Sequence, residues 1–498
     1  MKNLEFCLLE ASLLHQEILA GHVDASCLVD ACLERIGALD RRGPELRSVI
    51  EINPDAIDRA QELDHAAAGG DRPGALHGLP VLIKDNIATG DRMSTSAGSL
   101  ALAGLQARRD ASLVESLRLS GAVILGKTNL SEWANIRSPR SSSGWSSRGG
   151  QTRNPHVLSR SPVGSSSGSA AAVAAGLCSL AVGTETDGSI VQPASACGIV
   201  GLKPTVGRIS RDGIIPIARS QDTAGPMART VRDVAMLLQV LSSRDPRDPE
   251  TQRATEPEDY IAALRRGALE GARIGVVRGS SARHPGVEML FEEALAHLRR
   301  LGALLVDVDA IPSSGKFVHS EFFVLLHELK DGLPRYLQEF QPDAPFRDLE
   351  GLIAWNESHR AEVMPFFGQE FFHAAQATRG VASMDYLEAL SANRRFSREE
   401  GIDALFAQHQ LDAVVAPTGG LAWRTDHLLG DFFSDGGITS SFAVAGYPHL
   451  TVPMGTVRDV PVGLSWGGLE WMESKILAMA YDYEQASQRR VTPRFLTD

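Results

Sequence analysis

Apolar and polar positions in the first 65 residues recur at helical spacing, as in Leu28, Cys32 and Ile36, which predicts helices laying one apolar stripe on a core. From about 75 to 235 the texture changes. Gly, Ser, Thr and Pro dominate, and apolar residues gather in short runs such as Pro80-Val81-Leu82-Ile83 and Ala122-Val123-Ile124-Leu125. Runs of that length bounded by turn formers predict buried strands. Asp110 to Ser120 reads as a helix feeding the second run, a helix-then-strand order typical of α/β sheets.

Arg273 to Val277, Glu288 to Arg300 and Leu304 to Val308 repeat a strand, helix, strand order, and Ala413 to Ala416 offers a further buried strand. The expectation is one α/β domain over residues 1–498, with an extended mixed sheet covered by helices on both faces. The stretch 312–400 is mostly helical in pattern and carries Phe317, Phe322, Phe323, Phe340, Phe366, Phe367, Phe371 and Phe372. Aromatics so spaced predict core; the alternative is an apolar lid over a substrate pocket. No internal repeat or low-complexity tract interrupts the chain.

Composition narrows the function classes. The 498 residues are 43% hydrophobic, enough for a large core, and the formal net charge is −12 with charges scattered along the chain. Nucleic-acid backbone binding wants a basic stripe, so a nucleic-acid partner is not expected. The five cysteines include no C-x-x-C pair and no Cys/His cluster at metal-ligand spacing, which predicts neither a disulfide framework nor a metal. They read as small buried hydrophobes in a reducing compartment. No run reaches the roughly 20 apolar residues that span a bilayer. The expected address is the cytoplasm, away from membranes, with a trimmed leader left open.

Two Gly/Ser segments are unlike ordinary core: Gly164-Ser165-Ser166-Ser167-Gly168-Ser169, and Gly183-Thr184-Glu185-Thr186-Asp187-Gly188-Ser189. Such loops bring backbone N–H groups close to a ligand. The first runs into Ala170-Ala171-Ala172-Val173-Ala174-Ala175-Gly176, a helix of tiny side chains suited to tight packing on a sheet. A phosphate cradle is disfavoured because no Gly-x4-Gly-Lys-[Ser/Thr] pattern occurs. Gly164-Ser165-Ser166-Ser167-Gly168 matches a G-x-S-x-G nucleophile elbow with Ser166 as nucleophile, but Asn154 to Pro162 cannot supply the strand an elbow must follow.

The run Gly78 to Asn86, with Pro80-Val81-Leu82-Ile83-Lys84-Asp85-Asn86 at its end, and the two Gly/Ser segments together resemble the amidase signature family. Gly126-Lys127-Thr128-Asn129, Gly201-Leu202-Lys203-Pro204-Thr205, Asp222-Thr223-Ala224-Gly225-Pro226-Met227, Gly446-Tyr447-Pro448 and Thr451-Val452-Pro453 extend the resemblance over essentially the whole chain. It implies a serine amide hydrolase without metal or organic cofactor, with Ser189 as nucleophile, Ser165, held in a cis peptide, as proton relay, and Lys84 as base. The backbone N–H groups of Thr186, Asp187, Gly188 and Ser189 would form the oxyanion hole, and Ser166 would support the relay. These residue types suit the chemistry. A serine hydroxyl needs a base within hydrogen-bond reach, and lysine, ordinarily near 10.4, accepts a proton only where burial depresses that value.

The chain departs from the commoner family pattern at several points. Asp187-Gly188 stands where many members have Gly-Gly, Val191-Gln192-Pro193 stands where an Arg often follows, and Val163 and Ser167 replace glycines of the serine loop. With Asp187, Ser210 to Pro216 and Ser220-Gln221-Asp222-Thr223 resemble the bacterial peptide amidases, which remove C-terminal amides from peptides. Aryl or alkyl acylamides are the alternative substrates. A glutaminase subunit of a tRNA-dependent amidotransferase is the alternative function.

Overall fold

Eleven strands form one sheet in the computed structural model, which describes residues 6–70, 72–256, 258–280, 284–432 and 436–497. In chain order they are β1 (Val49–Ile52), β2 (Pro80–Lys84), β3 (Val123–Thr128), β4 (Leu180–Glu185), β5 (Val200–Lys203), β6 (Thr223–Ala228), β7 (Arg273–Val277), β8 (Leu304–Val308), β9 (Ala413–Pro417), β10 (His449–Val457) and β11 (Val460–Gly467). Across the sheet the order is β1-β3-β2-β4-β6-β5-β10-β11-β9-β7-β8. The sheet is mixed: β3, β2 and β4 run parallel, as do β9, β7 and β8, and antiparallel pairs join these two groups. Helices cover it, so the single α/β domain expected from the sequence is the fold observed.

The apolar runs read as strands are the central ones, and every residue of β2, β3 and β4 is buried. Burial on both faces is the condition under which strands lose polar alternation. The parallel register sets Val81, Leu82 and Ile83 against Leu180, Ala181 and Val182, so β2 and β4 end side by side. Carboxyl ends of neighbouring parallel strands are where α/β sheets present ligand sites.

Helix starts are held by carboxylates from distant parts of the chain. Asp233 accepts from Ala11 and Ser12 N–H, each at 2.9 Å, at the start of helix Ala11–Leu19. Asp64 does the same for Ala25 (2.7 Å) and Ser26 (3.0 Å) at helix Ala25–Arg35. Free N–H groups and the positive end of the helix dipole make these sites favourable for anions. The N-terminal region is not all helix, however: β1 falls within residues 1–65 and pairs with β3. Its four residues, Val-Ile-Glu-Ile, are too few to display a period of their own.

The stretch 312–400 is helical as expected, led by helix Val318–Phe340. Phe317, Phe340, Phe367 and Phe372 are buried while Phe366 is exposed, and Trp133 meets Phe372 edge to face at 5.8 Å. The core reading therefore accounts for four of the eight rings, while Phe322, Phe323 and Phe371 are half-buried, two of them packed against the core. Cys7, Cys32, Cys178 and Cys197 are buried, but Cys27 is exposed on a helix whose apolar stripe runs through its neighbours Leu28 and Cys32.

Arg137 and Glu132 form an ion pair with both side chains fully out of solvent. The guanidinium also donates to Val363 O at 2.8 Å and lies 4.3 Å over the Phe367 ring, so it ties the 130s to the 360s. Removing one member of such a pair strands the other charge. Glu132→Ala is expected to destabilise the protein by about 3–5 kcal/mol, read from urea unfolding; a loss under about 1 kcal/mol would show the pair to be dispensable.

Candidate active site

Lys84 closes β2, and its side chain crosses to the end of β4. Its Nζ lies 2.8 Å from Ser165 Oγ, 3.0 Å from Ser166 Oγ, 2.9 Å from Thr184 Oγ1 and 3.1 Å from Thr184 O. Among the described residues, no carboxylate touches it. Burial pushes the ammonium down to about 7, against the weaker pull of Glu185 and Asp222. An amine neutral near pH 7 has a lone pair that a hydroxyl can donate to.

Ser165 is fully buried, and the Gly164–Ser165 peptide is cis. Its carbonyl accepts from Ser131 N at 3.1 Å. Gly164 is required by space, because a Cβ there would stand 2.2 Å from Ser131 Oγ. Ser166, the residue before helix Ser167–Ala174, joins both Gly/Ser segments. Its N–H donates to Ser189 O at 3.1 Å, its hydroxyl donates to Thr184 O at 3.0 Å, and its Oγ accepts from Thr184 N at 3.2 Å.

Beyond β4 the chain turns through Thr186, Asp187, Gly188 and Ser189. Glu185 folds this turn: its Oε2 accepts from Ile190 N at 2.7 Å and Val191 N at 3.1 Å. Among the described residues, no N–H of 186–189 donates to a protein acceptor, so these groups remain available to a ligand. Gly188 has φ +81, and a Cβ there would press on Gln192 and Thr439 at 3.2 and 3.3 Å. Thr186 donates its hydroxyl to Asp222 at 2.5 Å, and Asp222 also accepts from Ile217 and Ala218 N–H. Burial pushes the Asp222 carboxyl up to about 6.

The structure thus brings Lys84, Ser165, Ser166 and the 186–189 turn to one end of the sheet. Among the described residues, Ser189 Oγ has no side-chain partner; its link to the serine loop is the bond from Ser166 N–H to its carbonyl. A cavity of about 230 Å³ lies alongside, lined by residues that include Val163, Gln192, Thr418, Leu421 and Trp423. Sequence reasoning missed Thr184 and Glu185 as supporting groups, although both lie inside the quoted motif. It also missed Glu321 and Ser440, which reach Asp187 from positions with no local pattern. Lys127 and Lys203, likewise buried and pushed down to about 8, do not join the cluster. They donate to Ile87 O and Thr95 Oγ1, and to Pro204 O.

The amidase family model matches residues 27–477. A probable amidase of Arabidopsis thaliana is 42% identical over 480 residues, covering 94% of this chain and 88% of its own. A glutamyl-tRNA(Gln) amidotransferase subunit of Symbiobacterium thermophilum is 36% identical, covering 99% of both chains. The crystal structure of peptide amidase PAM with the competitive inhibitor chymostatin matches with a TM-score of 0.95 and 52% identity, covering 97% of this chain and 99% of that one. The native peptide amidase of Stenotrophomonas maltophilia matches at 0.94 and 51%, covering 98% of each. The chain belongs to the amidase family and is a hydrolase of amide C–N bonds.

Glu185 holds the turn through one carboxyl oxygen that glutamine can reproduce as an acceptor. Glu185→Ala leaves two buried N–H groups unpaired and is expected to cost about 2–3 kcal/mol. Glu185→Gln is expected to cost less than half of that. Paired denaturant titrations measure both, and equal losses would mean that the two hydrogen bonds are not what matters.

Proposed function

We propose that this amidase hydrolyses primary carboxamides, with peptide C-terminal amides as the leading substrate class, through an acyl-enzyme on Ser189. The observation that carries the mechanism is a buried lysine that loses its proton near pH 7 and whose Nζ lies 2.8 Å from Ser165 Oγ. Ser165 passes the Ser189 proton to the Lys84 lone pair while Ser189 Oγ attacks the carbonyl carbon. The tetrahedral oxyanion is received by the free N–H groups of residues 186–189, each well-placed donor being worth roughly 3 kcal/mol. Returning the proton through Ser165 to the departing nitrogen releases ammonia and leaves the acyl group on Ser189. Water, deprotonated along the same route, then frees the acid.

The substrate class rests on likeness. Peptide amidase matches at 51–52% identity, whereas the glutamyl-tRNA(Gln) amidotransferase subunit of Thermotoga maritima matches at 28% with a TM-score of 0.73. The 36% identity to the Symbiobacterium protein favours glutaminase action as the second reading. Purified alone, the chain should release ammonia from amidated peptides without a partner. A requirement for glutamine and for a co-purifying protein would favour the second reading.

Ser189→Ala is expected to abolish ammonia release from amidated peptides, followed by mass spectrometry, with folding intact. Activity retained in that variant would overturn the mechanism. Lys84→Ala should lower kcat by about 10²–10⁴-fold. The base works only unprotonated, so wild-type kcat/KM should plateau above about pH 7 and fall tenfold per unit below it, following the Lys84 value. A profile flat down to pH 5 would exclude Lys84 as the titrating base.

A further inference from the structure

Glu321 lies in the first turn of helix Val318–Phe340, more than a hundred residues beyond the Gly/Ser segments, yet Gln221 ties its buried carboxyl to the Thr186 carbonyl, beside Asp187. Two carboxylates held side by side away from water repel, so such a pair retains one proton. Gln221 Nε2 donates to Glu321 Oε1 at 3.0 Å and to Thr186 O at 3.3 Å. Ser440 Oγ donates to Asp187 Oδ2 at 2.7 Å. Each carboxyl thus has one neutral donor of its own, and burial separates them: Glu321 is buried while Asp187 is half-buried. The group that keeps more contact with water keeps the charge, which leaves an ionised Asp187 beside a neutral Glu321 whose proton can be donated to it. The charges agree: burial raises both groups, and Asp187 pushes Glu321 further up while donors draw Asp187 back.

Asp187 is half-buried, two positions before Ser189 and within the turn whose N–H groups are free. An ionised carboxylate can accept about four hydrogen bonds, so Ser440 and Glu321 leave part of that capacity open. We propose that Asp187, held ionised by a protonated Glu321, reads the leaving side of the substrate: its carboxylate accepts from the carboxamide NH₂, and its charge excludes the carboxylate product. Asp187 is the contact and Glu321 the positioning residue. The inference rests on the amide-hydrolase reading and adds a reason for the enzyme to prefer an amide to the acid it makes. Gln221 couples the pair to the turn, since one amide group spans Glu321 and the Thr186 carbonyl.

The test is binding rather than turnover. An amidated tripeptide and its free-acid counterpart are titrated calorimetrically into Ser189→Ala, alone and combined with Asp187→Asn, Glu321→Gln or Glu321→Leu. The Ser189→Ala protein should bind the amide at least tenfold tighter than the acid. Adding Asp187→Asn should bring that ratio near one, mainly by tightening acid binding. Glu321→Gln should keep the ratio within about twofold, because its Nε2 donates where the acid proton did and its Oε1 still accepts from Gln221. Glu321→Leu should reduce the ratio severalfold. An unchanged ratio in the Asp187→Asn protein, a Glu321→Gln protein behaving like Glu321→Leu, or no binding of the amide at millimolar concentration would each overturn the proposal. A wild type that releases no ammonia from any amide would instead overturn the proposed activity, while the measured ratio would still decide whether the pair discriminates amide from acid.

Discussion

A lysine ammonium taken out of water loses several kcal/mol of hydration, which a buried partner of opposite charge can restore. At Lys84 the fold supplies no such partner among the described residues. Its nearest groups are three hydroxyls and a carbonyl, and the two carboxyls that pull on it, Glu185 and Asp222, make no contact with it. The amine therefore gives up its proton near pH 7, and the surrounding site is arranged around that deficit. The parallel pairing of β2 and β4 brings Lys84 beside Thr184. The all-small helix Ser167–Ala174 lets Ser165 and Ser166 come down onto the amine. Lys127 and Lys203 mark the contrast: each is as buried, but each spends its donors on carbonyls or a threonine and faces no serine loop.

The turn that carries Ser189 is built by the same kind of trade. Its own N–H groups are left open, so something else must hold its shape, and Glu185 does so through Ile190 and Val191 just downstream. Asp222 holds the other side through the Thr186 hydroxyl. Both carboxyls are raised by burial; the Lys203 charge and then the Ile190 and Val191 N–H groups offset this at Glu185, and the Thr186 hydroxyl and then the Ile217 and Ala218 N–H groups offset it at Asp222. Asp233 and Asp64 use the same chemistry to seat N-terminal helices. A chain with a net charge of −12 therefore turns part of its acidic excess inward, as acceptors for backbone groups that the sheet cannot satisfy.

Much of this was legible in local pattern. β2, β7 and β8 begin where their apolar runs begin, and the Gly/Ser segments announced an unusual loop because core strands have no use for them. Legibility ended where partners are far apart in the chain. Glu321 looks like any surface glutamate in a helical stretch, Ser440 like any helix-start serine, and only folding puts both against Asp187. β1 was hidden for a related reason, since its pairing with β3 is a tertiary fact imposed on four residues. Cys27 was misread because composition assigns cysteines to the interior without regard to which side of a helix they occupy.

The departures from the commoner motif follow from backbone geometry. Of the Gly-Gly pair many members carry, this chain keeps the second, Gly188, whose φ of +81 no bulky residue adopts comfortably and whose missing Cβ makes room for Gln192 and Thr439. The first position is not in the left-handed region, so a side chain there costs no backbone strain, and the chain uses it for Asp187. Val163 is the opposite case. It occupies φ +58, where a β-branched residue is strained, and it is held there by Ser161 Oγ at its N–H and by Ser167 Oγ at its carbonyl. Ser167 is itself a replacement for a glycine of that loop, so the two departures compensate each other: the hydroxyl gained at 167 secures the conformation that the glycine lost at 163 would have adopted freely. A loop pinned in this way holds Ser165 and Ser166 against Lys84, as the proposed relay requires if each proton step is to span about 3 Å.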